Sequence, residues 1–600
     1  MRPQGFLLPP LPAEARLLEK VGTGEWCWIS DERPGERGQT PDNTVRASFI
    51  RFLALGGDQD TFVHEHGVQL AGAWVEGVLD FEGCEIPRTL VLFRCRFEAA
   101  PVFLHAKAKT IVLSGSVLPG FKADGLHVTG GLFLRDGFEA EGEVRLPGAR
   151  IGGDLSCNGG KFRSTEGENE KDENKSRVAL HADGLDVIGG VFFGDGFEAD
   201  GAVRLPGARI GGDLSCNGGK FRNEKGMALI ADRLDVTGSV FLADGFEAEG
   251  EVGLVGARIG GELSCIGGKF RNGNGVAIQG QKMQVEGAFQ FRNVETDEGH
   301  IDLNTAHVED LVDDAASWAK AKSLILDGFT YDRLAGTAPT DYASRKGWLL
   351  KQLPSDLAEE FKPQPFEQLA KVLREMGHVE DARRIAILKQ DYQRRASWLQ
   401  ALRRFAAAKD QIDLKAPWKE RLRIWAKANA GLVGAVVRRS LGWAFKWTSG
   451  YGYRPIWALG WMALWWVIGV GVFSTAYSSG AMIPGETRML VNATWLECAG
   501  IEDGQKERKS VEVLKTLDCF LQKPPGRDYP RFNAFVYSLD TFVPILDLHQ
   551  ESAWMPQPMR AEEGSWAGWA RGYLWVHIIF GWIFTTLAVL GFTGLVKKDP

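Results

Sequence analysis

The sequence predicts a mainly-β chain: a parallel β-helix (solenoid), then a helical hairpin, juxtamembrane helices and two transmembrane helices. Three observations carry this. One glycine-cornered phrase recurs three times, at 136–163, 195–222 and 244–271. Apolar residues alternate within each copy, the mark of strands with one buried face. Two stretches, 455–485 and 572–596, carry no Asp, Glu, Lys or Arg.

Composition separates the two halves. Of 600 residues, 73 are glycine, and 16 of the 20 tryptophans follow residue 340. Apolar residues are 44% and charged residues 24%, which suits folded protein and excludes wholesale disorder. A net charge of −7 argues against a nucleic-acid partner for the chain as a whole. The first residues, MRPQGFLLPPLPAEARLLEK, lack the apolar run and cleavage site of a signal peptide, so this end is expected to stay in the cytoplasm.

Residues 1–66 are assigned to an N-terminal cap and 67–334 to the solenoid. Copies two and three are 49 residues apart, and copies one and two are 59 apart. The ten extra residues lie in STEGENEKDENKS, a polar surface insertion. A unit of this size holds about four short strands, read as two coils in the mid-twenties. Each coil buries its inward residues only on its neighbours, which is why the unit must repeat.

Cys157, Cys216 and Cys265 share one repeat position, two residues beyond inward Leu155, Leu214 and Leu263. They read as small buried hydrophobes, with a redox or metal ladder as the alternative. No Cys-x-x-Cys occurs, and GARIGGDLSCNGG opens no helix, so it reads as corners and not as a dinucleotide loop. Between 121 and 300 there are 20 Lys+Arg against 29 Asp+Glu. An acidic DNA mimic is the weaker alternative there, because the repeat is not five residues long.

Residues 335–395 read as a helical cap. Pro365 starts a helix with Leu369, Val372 and Leu373 on one face, Gly377 breaks it, and a second run carries Ala382, Ile385, Ile387 and Leu388. Residues 396–454 form a basic, Trp-rich juxtamembrane region. Between 394 and 454 there are 14 Lys+Arg against three acidic residues. Arg421, Arg423, Lys427, Arg438 and Arg439 are its candidate contacts with anionic lipid headgroups.

The predicted transmembrane helices are 455–477 and 572–596. The positive-inside rule puts both termini in the cytoplasm, with 597–600 a cytoplasmic tail and 478–571 an external loop. Cys498 and Cys519 are the loop's only cysteines, so a disulfide is expected in an oxidising compartment. Segment 532–556 is a candidate re-entrant element, placed like the pore helix of a two-span channel. Phe542-Val543-Pro544-Ile545 replaces a potassium filter, so the carbonyl cage is not supported. Asp547, His549 and Glu551 alternate and would share a face on a strand, a candidate metal or proton site set against an interfacial polar cluster.

The phrases GVQLAGAWVEGVLDFEG, FKADGLHVTGG, FKPQPFEQLAKVLREMGHVEDARRIAILKQ and FVYSLDTFVPILDLHQE resemble a bacterial family of β-solenoid membrane proteins. The resemblance covers most of 45–600. That family usually carries the label membrane-associated oxidoreductase, so the resemblance implies a bacterial β-solenoid membrane protein with redox chemistry, and the two apolar stretches make it a multi-pass protein expected in the inner membrane. No nicotinamide, flavin, haem or iron–sulfur motif accompanies it, and the cofactor is left unassigned. The residues themselves lead to a scaffold or sensor displaying a cytoplasmic β-helix to a protein or small-molecule ligand. The alternatives are the oxidoreductase and a two-span ligand-gated pore. Homo-oligomerisation stays open.

Overall fold

The computed structural model describes residues 9–164, 177–273, 275–297, 299–410, 418–454, 456–500, 513–557 and 566–593. The ten-residue insertion falls outside them. The chain forms two compact units, Met1–Ala396 and Ser397–Pro600.

The first unit is a β-solenoid of about 11 turns. Most strands are two to four residues long, and they stack in parallel, in-register columns. In one coil Arg209–Ile210 serves the first column and Leu214–Ser215 the second, while the long strand Lys220–Ile230 serves the third and fourth. The sequence predicted two strands per coil, and the structure has four. The reason is local: glycine pairs such as Gly211-Gly212 and Gly218-Gly219 each turn a corner, so one alternating run crosses two faces. Arg209 pairs with Asp235 and Asp235 with Arg258, giving coils of 26 and 23 residues within the 49-residue period. Parallel pairing starts at Cys27–Trp28 and Thr44–Arg46, upstream of residue 67, and its last strand is Thr330–Leu334.

The inward positions form rows of like residues. Phe138, Phe162, Phe197, Phe221, Phe246 and Phe270 follow one another with ring centroids 5.2 or 5.3 Å apart. Each ring is fully buried, worth roughly 1.5–3 kcal/mol relative to exposure. Cys157, Cys216 and Cys265 also point inward. Phe193 and Leu242 occupy the coils between them, so neighbouring thiols stand about 10 Å apart along the stack. That spacing is too long for a shared metal or a disulfide. All three thiols are free, and burial pushes each well above its ordinary pKa.

Near each end of the solenoid lies an ion pair with a buried carboxylate. At the start, Glu14 of helix Pro12–Val21 accepts hydrogen bonds from the Arg46 amide and guanidinium and from the Leu11 amide. At the finish, Arg345 donates to both Asp313 oxygens at 2.7 and 2.8 Å, and the Trp318 indole donates to the same carboxylate at 2.6 Å. Helix Gln364–Glu375 then covers the last strand. Gln364 and Gln368 donate to the carbonyls of Phe329 and Tyr331, giving that exposed edge partners it would otherwise lack. Leu369, Val372 and Leu373 are buried as their spacing predicts, and Gly377 ends the helix with φ +87°.

The second unit holds two helices long and apolar enough to cross a membrane, Ile456–Ser478 and Trp569–Leu590. Both expose large apolar side chains, among them Trp457, Leu464, Val467, Trp575, Ile579 and Trp582. At about 1.5 Å per residue, helices of 23 and 22 residues match about 30 Å of hydrocarbon. Strands Met482–Pro484 and Trp554–Pro556 pair antiparallel just beyond them.

Candidate functional site

Within the second unit the site is built around helix Ala534–Phe542, which packs against both long apolar helices. Asn533 starts it, accepting from the amides of Phe535 and Val536. Two glycines make room for it. A Cβ on Gly469 would fall 2.2 Å from Ser538 Oγ, and one on Gly581 would fall 1.9 Å from the Phe542 carbonyl oxygen. Such approaches require the missing side chain.

At the junction Ser538 Oγ donates to the Trp466 carbonyl at 2.9 Å, closing a helix carbonyl into the contact. His577, fully buried, places Nε2 3.0 Å from the Ser538 carbonyl and Nδ1 3.2 Å from the Tyr573 hydroxyl. A carbonyl only accepts, so the pattern assigns the proton to Nε2 and leaves Nδ1 to accept from Tyr573. Ser538 Oγ lies 3.3 Å from Nε2, but its proton goes to Trp466 and the imidazole proton to a backbone oxygen. The pair therefore locks three helices together. It lacks the free base that would activate a nucleophile.

Asp540, on the same short helix, organises the following loop. Its carboxylate accepts from the amides of Leu548, Gln550 and Glu551 at 2.7–2.8 Å. This overturns the strand geometry expected for Asp547, His549 and Glu551. His549 takes a left-handed conformation, φ +60°, and Gln550–Ala553 is a short helix. Asp547 and His549 pair with each other at 3.0 Å, about four-fifths exposed, while Glu551 sits in the helix. The three amides drawn toward Asp540 fold the segment before it can extend. Among the described residues no group of three His, Cys, Asp or Glu side chains is placed to hold a metal.

Cys498 and Cys519 are joined, with Cα atoms 5.7 Å apart, and tie helix Ala493–Cys498 to helix Val513–Gln522. The basic residues lie on helix Trp418–Ser449. Lys427, Arg438 and Arg439 are exposed, and Arg439 stands 4.9 Å over the Trp398 ring. The side chains of Arg421 and Arg423 lie outside the described residues. The same helix exposes Trp425, Val433, Val436, Trp443 and Trp447, an apolar surface of the kind that meets an interface.

On the solenoid the outward positions form charge columns. In the third column Glu139, Lys161, Glu198, Lys220, Glu247 and Lys269 alternate in register. Three cations on these strands have acidic partners: Lys220 with Glu198, Arg222 with Asp200 and Arg271 with Glu247. In the first column Arg150, Asp186, Arg209, Asp235 and Arg258 alternate as well.

Sequence reasoning missed Ser538, Asp540, Tyr573 and His577. The available signal was His577 itself, the one imidazole in a long apolar run free of Asp, Glu, Lys and Arg, which is a site hypothesis by default. Comparison with protein-family models, curated proteins and solved structures found no match for this chain.

Proposed function

We propose that this chain is a membrane-anchored binding scaffold or sensor, held in a bacterial inner membrane by its two apolar helices. The single observation that carries this reading is the joining, in one chain, of a charge-laddered solenoid to two helices with exposed apolar faces. An apolar surface of that extent needs a bilayer or a partner to cover it. The exposed Lys427, Arg438 and Arg439 beside exposed tryptophans support a contact with anionic headgroups. On the positive-inside rule the solenoid and both termini face the cytoplasm, and the disulfide-bonded loop faces outward. The resemblance to proteins labelled membrane-associated oxidoreductases stands beside this as an alternative without a residue assigned to it.

Affinity purification of the full chain from native membranes tests the reading. A stoichiometric protein or small molecule should come with it, and the protein should resist extraction by alkaline carbonate. Carbonate-soluble protein that brings nothing would overturn the proposal. Visible absorbance of the same preparation would favour the redox alternative. Reporters after Pro600 and near Lys506 check topology, the first active inside and the second outside.

A pore is the second reading, favoured by the helix wedged between two apolar helices. The Phe542 carbonyl, first of the filter-like positions, is packed against Gly581, so it faces the second apolar helix. Conductance in planar bilayers would support the pore.

A further inference from the structure

The first column differs from the third in what its arginines do. Arg150, Arg209 and Arg258 occupy one repeat position on alternate coils, and all three are exposed. Among the described residues none has a hydrogen bond or ion pair through its side chain, and neither has Arg233. Arg209, Arg233 and Arg258 converge on a cleft of about 470 Å³ with Asp235, Leu234, Gly207 and Gly256.

The internal repeat shows how this cleft departs from its background. In copies one and two a turn reads Ala-Asp-Gly-Leu, and an arginine 21 residues on returns to its aspartate. Arg145 holds Asp124 through two hydrogen bonds, and Arg204 holds Asp183 the same way. In the third unit the turn reads Ala-Asp-Arg-Leu, at Asp232 and Arg233, and the strand position 21 residues on is Gly253. Asp232 turns instead to the Val255 amide. The guanidinium has in effect moved from a paired strand position to a turn. There it is freed from the carboxylate and aimed beside two other arginines.

The move has a conformational cost. Arg233 sits at φ +54° in a column where Gly207 and Gly256, on the adjacent coils, have φ +65°. That region is ordinary for glycine and strained for arginine. Because both neighbours lack side chains, the arginine stem has room: a Cβ on Gly256 would lie 3.7 Å from Arg233 Cγ.

The geometry points to a binding site for an organic diphosphate, with the two phosphates on the guanidinium forks and a hydroxyl-bearing part on Asp235. Arg209 and Arg258 are two coils apart, about 10 Å along the stack. One phosphate is too small to engage both at once, and Arg233 stands on the coil between them. Guanidinium forks match phosphate oxygens in pairs, which a lysine cannot reproduce. Asp235 lowers the cleft's net charge and selects for a ligand that also donates a hydrogen bond. This deepens the binding-scaffold reading and rests on it.

Calorimetric titration of the full chain in nanodiscs with inorganic pyrophosphate and with ADP tests the site. Saturable binding is expected for both, weakening as salt is raised. Arg233→Gly installs the residue this turn uses in the other copies, so folding should be kept while affinity falls by about tenfold or more. Arg233→Gly with Gly253→Arg restores the repeat's own arrangement and should stay as weak. Asp235→Asn should tighten pyrophosphate and weaken ADP relative to it. Lys220→Gln, in the third column, should change neither. The proposal fails if wild type gives no saturable binding at low salt, or if Arg233→Gly binds within about twofold of it. It also fails if a partner co-purifies unchanged with Arg233→Gly while neither phosphate binds, and that result leaves the scaffold reading intact.

Discussion

Arg345→Met should loosen the C-terminal coils far more than its single position suggests. Asp313 and Arg345 are both almost fully buried, and the carboxylate has three hydrogen bonds, two from Arg345 and one from the Trp318 indole. Removing the arginine leaves a buried charge with one donor, which costs roughly 3–5 kcal/mol. Asp313→Leu strands the guanidinium, whose remaining hydrogen bond is to the Pro339 carbonyl, and should cost a similar amount. The double variant leaves mainly the Trp318 indole without a partner, about 1–3 kcal/mol. A solenoid opens locally, so a whole-protein midpoint would blur this. Hydrogen exchange by mass spectrometry on the full chain reads it directly. Amides between 300 and 334 should exchange roughly 100-fold faster or more in each single variant, and coils near Leu155 should be unaffected. Double-variant protection well above either single variant is the signature of coupling. Effects that simply add would refute the paired-charge account.

Other outcomes follow from the same geometry. Gly469→Ala and Gly581→Ala should both displace helix Ala534–Phe542 and lower the thermal midpoint in detergent, whereas Gly471→Ala, with open space at its Cβ, should not; equal midpoints would remove the case for close approach. Leu214→Asp buries a carboxylate without a partner, costing several kcal/mol, while deletion of 165–174 should be tolerated; comparable proteolysis of the two would contradict the coil assignment. Burial alone would raise the Asp314 carboxyl, but amides of Ser317 and Asn293 and the Ser317 hydroxyl hold it below its usual pKa, and the Ser344 amide holds Asp341 down. Depressed folded-state values stabilise above the unfolded value and lose that effect as pH falls through the folded one, so protection of 315–349 should hold from pH 7 to 5 and decline below about pH 4. Opening of these helices between pH 5 and 7 would contradict that.

The coil repeat was legible because each coil can bury its inward residues only on the next, so the pattern must recur. The inward place of Cys157, Cys216 and Cys265 followed from parity with Leu155, Leu214 and Leu263. Strand count was not legible, because alternation continues across a glycine corner and one run looks like one strand. Asp547, His549 and Glu551 misled because a side chain seven residues before the first of them, Asp540, draws in three amides and bends the path. Nothing in the sequence alone links Arg233 to Gly253. Only the pairing of Arg145 with Asp124 and of Arg204 with Asp183 shows that they are two halves of one rearrangement.

The sealed ends of the solenoid bear on what happens when it is cut. Every interior coil presents the same unsatisfied backbone to the next, so a chain broken between coils exposes a template for its own copies. Such a heterologous contact does not close and propagates into fibres. Among the described residues, helix Pro12–Val21 lies at the first end, and helix Gln364–Glu375 covers the last strand, with Gln364 and Gln368 donating to its edge carbonyls. Removing one whole 49-residue unit keeps both terminators and shortens the stack, whereas truncation after any coil creates a polymerising end. The length of the solenoid is thus free to vary in units, provided the helices that cover its two ends are kept.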